Sequence, residues 1–284
     1  MTKFEVIQPS AILSPFVAQY WFLEINDAGC CSQRYIPSGY TSLVFHRGER
    51  IYSTLHREIQ PQSGLCGQSL LYTDIVYSGY LNFIMVVFRP NAARIIFGIP
   101  MYELRNWNID TGQLGESSLY DLENRLINTT DNRQCTVHIE NFLLKKLSCI
   151  VFDNNKFDRM NEIVRCIVNG QQNITQLSTM ACLGYKQFKR VFAEYAGLNP
   201  KEFIQIARFR KVLYCLHSGL QTNLNELAYN HGYSDKSHLI KDFKTFTGYT
   251  PKKYLSICDP YCEYLSLFNS IFINGGSEKE CGVP

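Results

Sequence analysis

The 284-residue chain is 45% hydrophobic and carries 28 Lys plus Arg against 25 Asp plus Glu, a formal net charge of +3. That length has room for two domains and that composition for two cores. No run approaches the roughly 20 apolar residues of a membrane helix. Met1 to Ser10 has one basic residue and no apolar stretch of signal-peptide length, so the expectation is a cytoplasmic protein with no membrane partner.

The first half reads as β-rich. Tyr20 to Ile25, Ser42 to Phe45 and Leu81 to Phe88 are short runs of aromatic and branched residues, broken by Pro37-Ser38-Gly39, Pro61 and several glycines. Such spacing predicts the strands of a sandwich or small barrel. Helical spacing follows at Asn91 to Phe97, just after Pro90, and then at Tyr120 to Ile127 and Val137 to Leu147. The polar segment Phe152-Asp153-Asn154-Asn155-Lys156 is the natural joint. Residues 1–150 are therefore expected to form a β-rich domain with helices, a cupin-like barrel or a sandwich, within an α+β chain. A signal carried by that domain would cross the short joint as a change of domain orientation or of dimer.

The chemistry-bearing residues of this half form no recognisable catalytic set. A cupin metal site needs two or three His and a carboxylate converging from paired strands. The six histidines, His46, His56, His138, His217, His231 and His238, include no His-x-His pair. No metal, cofactor or catalytic residue is expected. Trp21, Phe22, Tyr35, Tyr40, Phe45, Tyr72, Tyr77 and Tyr80 suffice either to line a small-molecule pocket or to build the core, and both readings stay open. The 11 cysteines are scattered with no Cys-x-x-Cys, which suits a reducing compartment. Cys30-Cys31 is expected in a loop, and Cys166, Cys182 and Cys215 as small buried apolar residues.

Beyond the joint the pattern turns helical. Met160, Ile163, Val164 and Ile167 form a stripe, and then the residues repeat at a spacing of 51: Phe188 with Leu239, Arg190 with Lys241, Phe192 with Phe243, Gly197 with Gly248, Pro200 with Pro251, Phe203 with Tyr254. In each copy a short helix leads through a turn to a second helix with one apolar face. Phe188, Val191, Phe192 and Tyr195 form that face in the first copy; Leu239, Phe243 and Phe246 form it in the second. A glycine ends each second helix, and Asn199-Pro200 starts a linking helix that runs to about His217. Each copy is predicted to be a helix-turn-helix.

Residues left outside the apolar faces suit nucleic acid. On the first copy they are Lys186, Gln187, Lys189 and Arg190, with Tyr185 near the start. On the second they are Lys236, Ser237, His238 and Lys241, with Lys244 a turn further on. Such side chains can donate to phosphates or to base edges in a major groove. From Gln171 to Ile257 there are 12 Lys plus Arg against 5 Asp plus Glu, whereas residues 1–155 carry 12 basic and 14 acidic side chains. The basic field thus belongs to the duplicated part.

Residues 157–256 resemble the DNA-binding domain of the AraC/XylS transcription regulators. The matching residues are Leu183 to Phe192, Gly197-Leu198-Asn199-Pro200-Lys201-Glu202-Phe203, Arg208, Leu227-Ala228, Gly232-Tyr233-Ser234-Asp235-Lys236-Ser237, Phe243-Lys244 and Gly248 to Tyr254. The resemblance implies an all-α double helix-turn-helix that reads two successive major-groove segments of double-stranded promoter or operator DNA. Contacts would come from Lys186, Gln187, Lys189, Arg190, Lys236, Ser237, His238 and Lys241. Two positions depart from the pattern: Gly184 stands where a capping side chain is usual, and Ile240 is apolar on the wetter side of its helix, there to touch a thymine methyl or to pack against the linking helix.

The first half is similar to the sensor-like domain of unknown function that often precedes such modules, through Tyr20-Trp21, Arg34-Tyr35-Ile36-Pro37-Ser38-Gly39 with Leu43-Val44-Phe45, and Val87-Phe88-Arg89-Pro90. This implies control by a small-molecule effector or through a homodimer, with no defined ligand and no enzyme activity. The alternative from another class is an enzyme or DNA-repair protein that uses the module for localisation. Residues 257–284 form an extension in which Tyr261, Tyr264, Leu265, Phe268 and Phe272 have amphipathic helical spacing.

Overall fold

Strand residues of the first half alternate between two buried faces, and that alternation fixes the architecture. The computed structural model describes residues 2–219 and 223–257. Its strands are β1 (Thr2–Ile7), β2 (Val17–Tyr35), β3 (Thr41–His46), β4 (Tyr52–Ser53), β5 (Glu58–Ile59), β6 (Ser63–Cys66), β7 (Thr73–Phe88) and β8 (Asn108–Asp110). They form one antiparallel sheet in the order β1-β2-β7-β3-β6-β8; β4 pairs with β5 and with the early part of β7. Register places Phe22 and Phe45 opposite Ile84, and Tyr20 and Leu43 opposite Val86. These side chains share one face. It is covered by α1 (Ala92–Phe97), α2 (Ser117–Ile127) and α3 (Asn132–Ser148), whose Ile96, Leu122, Leu126 and Ile139 complete a core.

One residue along each strand, the other face curls around a cavity. Trp21 and Val44 flank Met85 there, and Leu23 and His46 flank Phe83. Because both faces are covered, β3 is buried at every position, its polar Thr41, Ser42 and His46 included.

The second half is all helical: α4 (Asn154–Val168), α5 (Ile174–Met180), α6 (Tyr185–Ala196), α7 (Pro200–His217), α8 (Leu224–Asn230), α9 (Lys236–Thr247) and α10 (Pro251–Ile257). Phe188, Phe192, Phe203, Phe209 and Phe243 are fully buried in its core. The expected combination of a β-rich first half with helices and an all-α second half is what forms.

Several expectations change. Cys30 and Cys31 lie in β2, opposite Ser78 and Tyr77 just past a bulge after Asp27, and not in a loop. The aromatic set divides: Trp21 and Tyr35 line the cavity, Phe22 and Phe45 belong to the helix-covered core, Tyr77 to a smaller cluster, and Tyr80 is exposed. The helix expected around Tyr261 to Phe272 lies outside the described residues.

The link between β2 and β3, strands that flank β7 in the sheet, is one of the places where the two halves meet. Between β2 and β3 the chain turns at Gly39, φ 77°, where an added Cβ would lie 3.4 Å from Ile206 of α7. Ile36 joins the core of the helical half, and the buried Arg210 of α7 sits 5.1 Å from the Tyr40 ring. Burial lowers that guanidinium to about 10, partly offset by Tyr40 and Tyr35.

Candidate nucleic-acid interface

Asn173 and Asn223 cap the first helix of each helical unit, accepting from the backbone N–H of Gln176 and of Asn225. The turns then close alike: Leu183 N donates to Ser178 O at 3.0 Å, and Tyr233 N to Ala228 O at 2.9 Å. The first helices are offset by 50 residues and the second by 51, because the second turn has one more residue before α9. Both second helices end on left-handed glycines, Gly197 with φ 80° and Gly248 with φ 76°.

The starts of those second helices differ. Asp235 accepts from His238 N at 2.8 Å, and this bond to the carboxylate holds its pKa below the ordinary range. Gly184 begins α6 with no side-chain cap, as the sequence pattern suggested.

Between the units, α7 is fixed by a capping box in which Asn199 and Glu202 bond each other's backbone N–H, at 3.1 and 3.0 Å. At 1.5 Å per residue its 18 residues span about 27 Å. Arg208 of α7 ties down the second unit. It donates to Asp242 Oδ2 at 2.8 Å and to Gly232 O at 3.0 Å, and its guanidinium lies 4.0 Å from the centre of the Tyr233 ring.

Lys186, Gln187, Lys189 and Arg190 are exposed on α6, and Lys236, Ser237 and Lys241 on α9. Lys189 lies 5.4 Å from the Tyr185 ring. The fold thus presents two basic helix faces whose opposite sides are buried. His238 differs: it is half-buried, with Nε2 3.3 Å from Arg208 Nη2 and Nδ1 3.1 Å from Ser234 Oγ, so its ring nitrogens are engaged within the protein. Ile240 is half-buried against the helical core.

Lys156 and Arg159 of α4, which lie outside the repeat, line a notch with Gln187 and Arg190 beside α6 and extend the basic surface. Three cysteines expected to be buried are not. Cys182 is exposed and left-handed, φ 54°, at the turn of the first unit, while Cys166 and Cys215 are half-buried at helix edges.

The front half grips both units near the C-terminal ends of their second helices. Arg94 pairs with Glu194 of α6 at 2.9 Å, and Arg105 with Glu202 at 2.7 Å. At the other unit Arg34 binds Asp74 with two bonds of 2.7 and 2.8 Å and donates to Thr247 O at 3.0 Å, the last residue of α9. Its guanidinium is stacked near Tyr72 and Tyr249, 4.2 and 4.6 Å from their centres. Asp74 is the first cause of its raised pKa.

Arg34 also lines the cavity, which has a volume of about 170 Å³ and mostly apolar walls. Cys66 stands at the wall as a thiol, pushed up to about 12 by burial. No group of three or more His, Cys, Asp or Glu side chains placed to hold a metal occurs among the described residues. No described helix is long and apolar enough to cross a membrane.

Comparison with known proteins places these features. Residues 177–257 match the family described as a helix-turn-helix domain, and residues 5–110 match a domain of unknown function, DUF6597. A curated relative from Haemophilus influenzae, an uncharacterized HTH-type transcriptional regulator, is 28% identical over 99 residues; these cover 34% of this chain and 33% of the relative, about a third of its length. Among solved structures, ToxT from Vibrio cholerae O395 aligns with a TM-score of 0.43 at 12% identity, over 97% of this chain and 99% of that one. The AraC-like transcriptional activator CuxR aligns with a TM-score of 0.25 at 12% identity, over 76% and 88%. The C-terminal module thus carries a helix-turn-helix domain, and the front half matches a domain of unknown function.

Proposed function

We propose that the chain is a one-component transcription regulator that reads two successive major-groove segments of double-stranded DNA and is controlled through its front domain. The reading is carried by one observation: two helix-turn-helix units, joined by a helix about 27 Å long, each turn a basic, exposed second-helix face outward. Recognition helices about one DNA turn apart, roughly 34 Å, can lie in consecutive grooves on one side of the duplex. Lys186, Gln187, Lys189 and Arg190 serve the first groove, and Lys236, Ser237 and Lys241 the second. His238 acts on this reading by positioning Arg208.

Control follows from the contacts at the back of each unit. Arg34 stands in the cavity wall and holds the last turn of α9. A ligand that moves this wall therefore alters how the second reader sits relative to the first. Catalysis has no part in the reading, and the Cys66 thiol at the wall is the wrong species for a thiolate nucleophile.

Selection of bound duplexes from a random pool, at near-physiological salt with the full chain, tests the reading. Two short enriched blocks about 10 base pairs apart are expected, and their inverted repetition would be the footprint of a homodimer. Equal affinity for all duplexes, with and without the front domain, would overturn it in favour of a non-specific basic module.

A further inference from the structure

The cavity of the front domain has one polar atom whose chemistry specifies a ligand. His46 is 3% exposed, ends β3 and lines the cavity. Its Nδ1 lies 3.0 Å from Pro61 O and 3.4 Å from Gln62 O. Carbonyl oxygens only accept, so Nδ1 carries the proton and donates. Burial holds the ring below its ordinary pKa and hence neutral, more strongly than those two bonds raise it. Nε2 is then a bare lone pair. It is buried and has no hydrogen-bond partner among the described residues.

Several other polar groups of the wall are engaged within the protein. His56 uses Nε2 on Asn106 O at 2.9 Å and Nδ1 on Ser53 Oγ at 3.3 Å, and Asn108 donates to Gln60 Oε1 at 2.7 Å. Arg34 is the one Lys or Arg among the described lining residues, and its Nε, Nη1 and Nη2 already bond Asp74 and Thr247. An anion entering the cavity would lose its hydration and find no free cation. A buried acceptor left unsatisfied is costly, so a donor that reaches it is favoured over an apolar group of the same shape.

We propose that the cavity binds an uncharged, largely apolar small molecule bearing one hydroxyl or N–H group, which donates its hydrogen bond to His46 Nε2. An apolar cavity of roughly 150 Å³ holds benzene. At about 170 Å³ this one takes a single substituted ring. The inference deepens the reading of the front domain as the control element and rests on it only for its consequence at DNA.

The test uses the full chain and three probes followed by calorimetry: 4-methylphenol, its isostere 4-fluorotoluene, which lacks the donor, and 4-methylbenzoate, which is charged. Expected is binding of 4-methylphenol about tenfold tighter than 4-fluorotoluene, and weaker binding still of the benzoate. His46→Phe is expected to erase the preference. Should that variant not fold, the unmodified protein gives the same answer, because the ¹⁵N resonance of His46 Nε2 moves upfield with 4-methylphenol and stays put with 4-fluorotoluene. Equal affinities, which a water on Nε2 would produce, tighter binding of the benzoate, or no binding of any probe would overturn the proposal. DNA affinity measured with and without 4-methylphenol separates the two readings: a ligand that binds with the donor preference and leaves DNA affinity unchanged sinks control by the front domain and leaves the site standing.

Discussion

In the first helix-turn-helix unit the turn passes through the left-handed region on Cys182, φ 54°, and α6 begins at Gly184 without a side-chain cap; in the second the same turn falls on Gly232, φ 72°, and Asp235 caps α9. A residue with a Cβ pays about 1 kcal/mol or more for that backbone region, and glycine does not. The second unit is also bolted to α7 by Arg208, whereas α6 is braced from outside, by Arg94 on Glu194 and by Met101, whose carbonyl would lie 3.1 Å from a Cβ at Gly197. One plan is thus stabilised in two ways. The front domain grips the end of both second helices, and the second copy has in addition its own fastening to α7 and a glycine at the turn.

The largest expected effect tests that fastening. Arg208 and Asp242 are 9% and 10% exposed, and Arg208→Ala would leave the carboxylate buried without its partner. Removing one member of such a pair costs about 3–5 kcal/mol. Urea unfolding of the full chain should show a loss of that order, and a loss under about 1 kcal/mol would mean that the second unit, too, is held mainly from outside.

DNA binding comes next. Arg190 and Lys241 occupy matching positions of the repeat, both exposed. Arg190→Ala and Lys241→Ala are each expected to cost about 1–3 kcal/mol of operator binding with folding intact. Gel-shift titrations against the selected duplex decide it, and normal affinity in one variant would show that this copy does not read.

Exchanging the turn residues is expected to move stability by about 1 kcal/mol in opposite directions. Cys182→Gly removes the strain of a left-handed non-glycine residue and raises stability. Gly232→Ala adds such strain, and the new Cβ would fall 2.1 Å from Gln172 Nε2, so that side chain must swing aside. Both shifts are read from denaturation midpoints, and a destabilising Cys182→Gly would place the asymmetry of the units elsewhere.

The sequence was most legible where the physics is local. Asn199-Pro200 and Gly197 announced α7 and the end of α6, because capping and left-handed stops involve neighbours in the chain. Strand extents were not. β2 continues through Asn26 and Asp27 and across a bulge to Tyr35 because it pairs with β7 along nearly all of its length, and no periodicity in the polar stretch reports this. β4, β5, β6 and β8 have two to four residues each, too short for a pattern. Trp21 and Phe22 looked interchangeable as core or pocket because β2 is covered on both faces there, and only the curl of the sheet separates cavity from core. The segment Arg34 to Gly39 carried a family likeness whose physical role, docking on α7 and α9, depends on partners more than 160 residues away. His46 looked ordinary since its unpaired nitrogen is created by the fold.

Gly184 supplies the smallest and most local test of the comparison. Its φ of −63° and ψ of 150° suit a capping serine, and nothing lies within 4 Å of an added Cβ. In Gly184→Ser the hydroxyl would accept from the backbone N–H of Lys186 or Gln187, which lack a capping side chain at that helix start. Serine gains only a few tenths of a kcal/mol over glycine as a cap, and the restricted unfolded chain adds a similar amount, so about 0.5 kcal/mol is expected. Slower amide exchange confined to the first turn of α6, with α9 unchanged, is the signature. Asp235→Gly should make α9 resemble the natural α6, with faster exchange at Ser237 and His238. If neither substitution moves exchange in its own helix, the caps do not distinguish the two units, and the Arg208 fastening to α7 is what sets them apart.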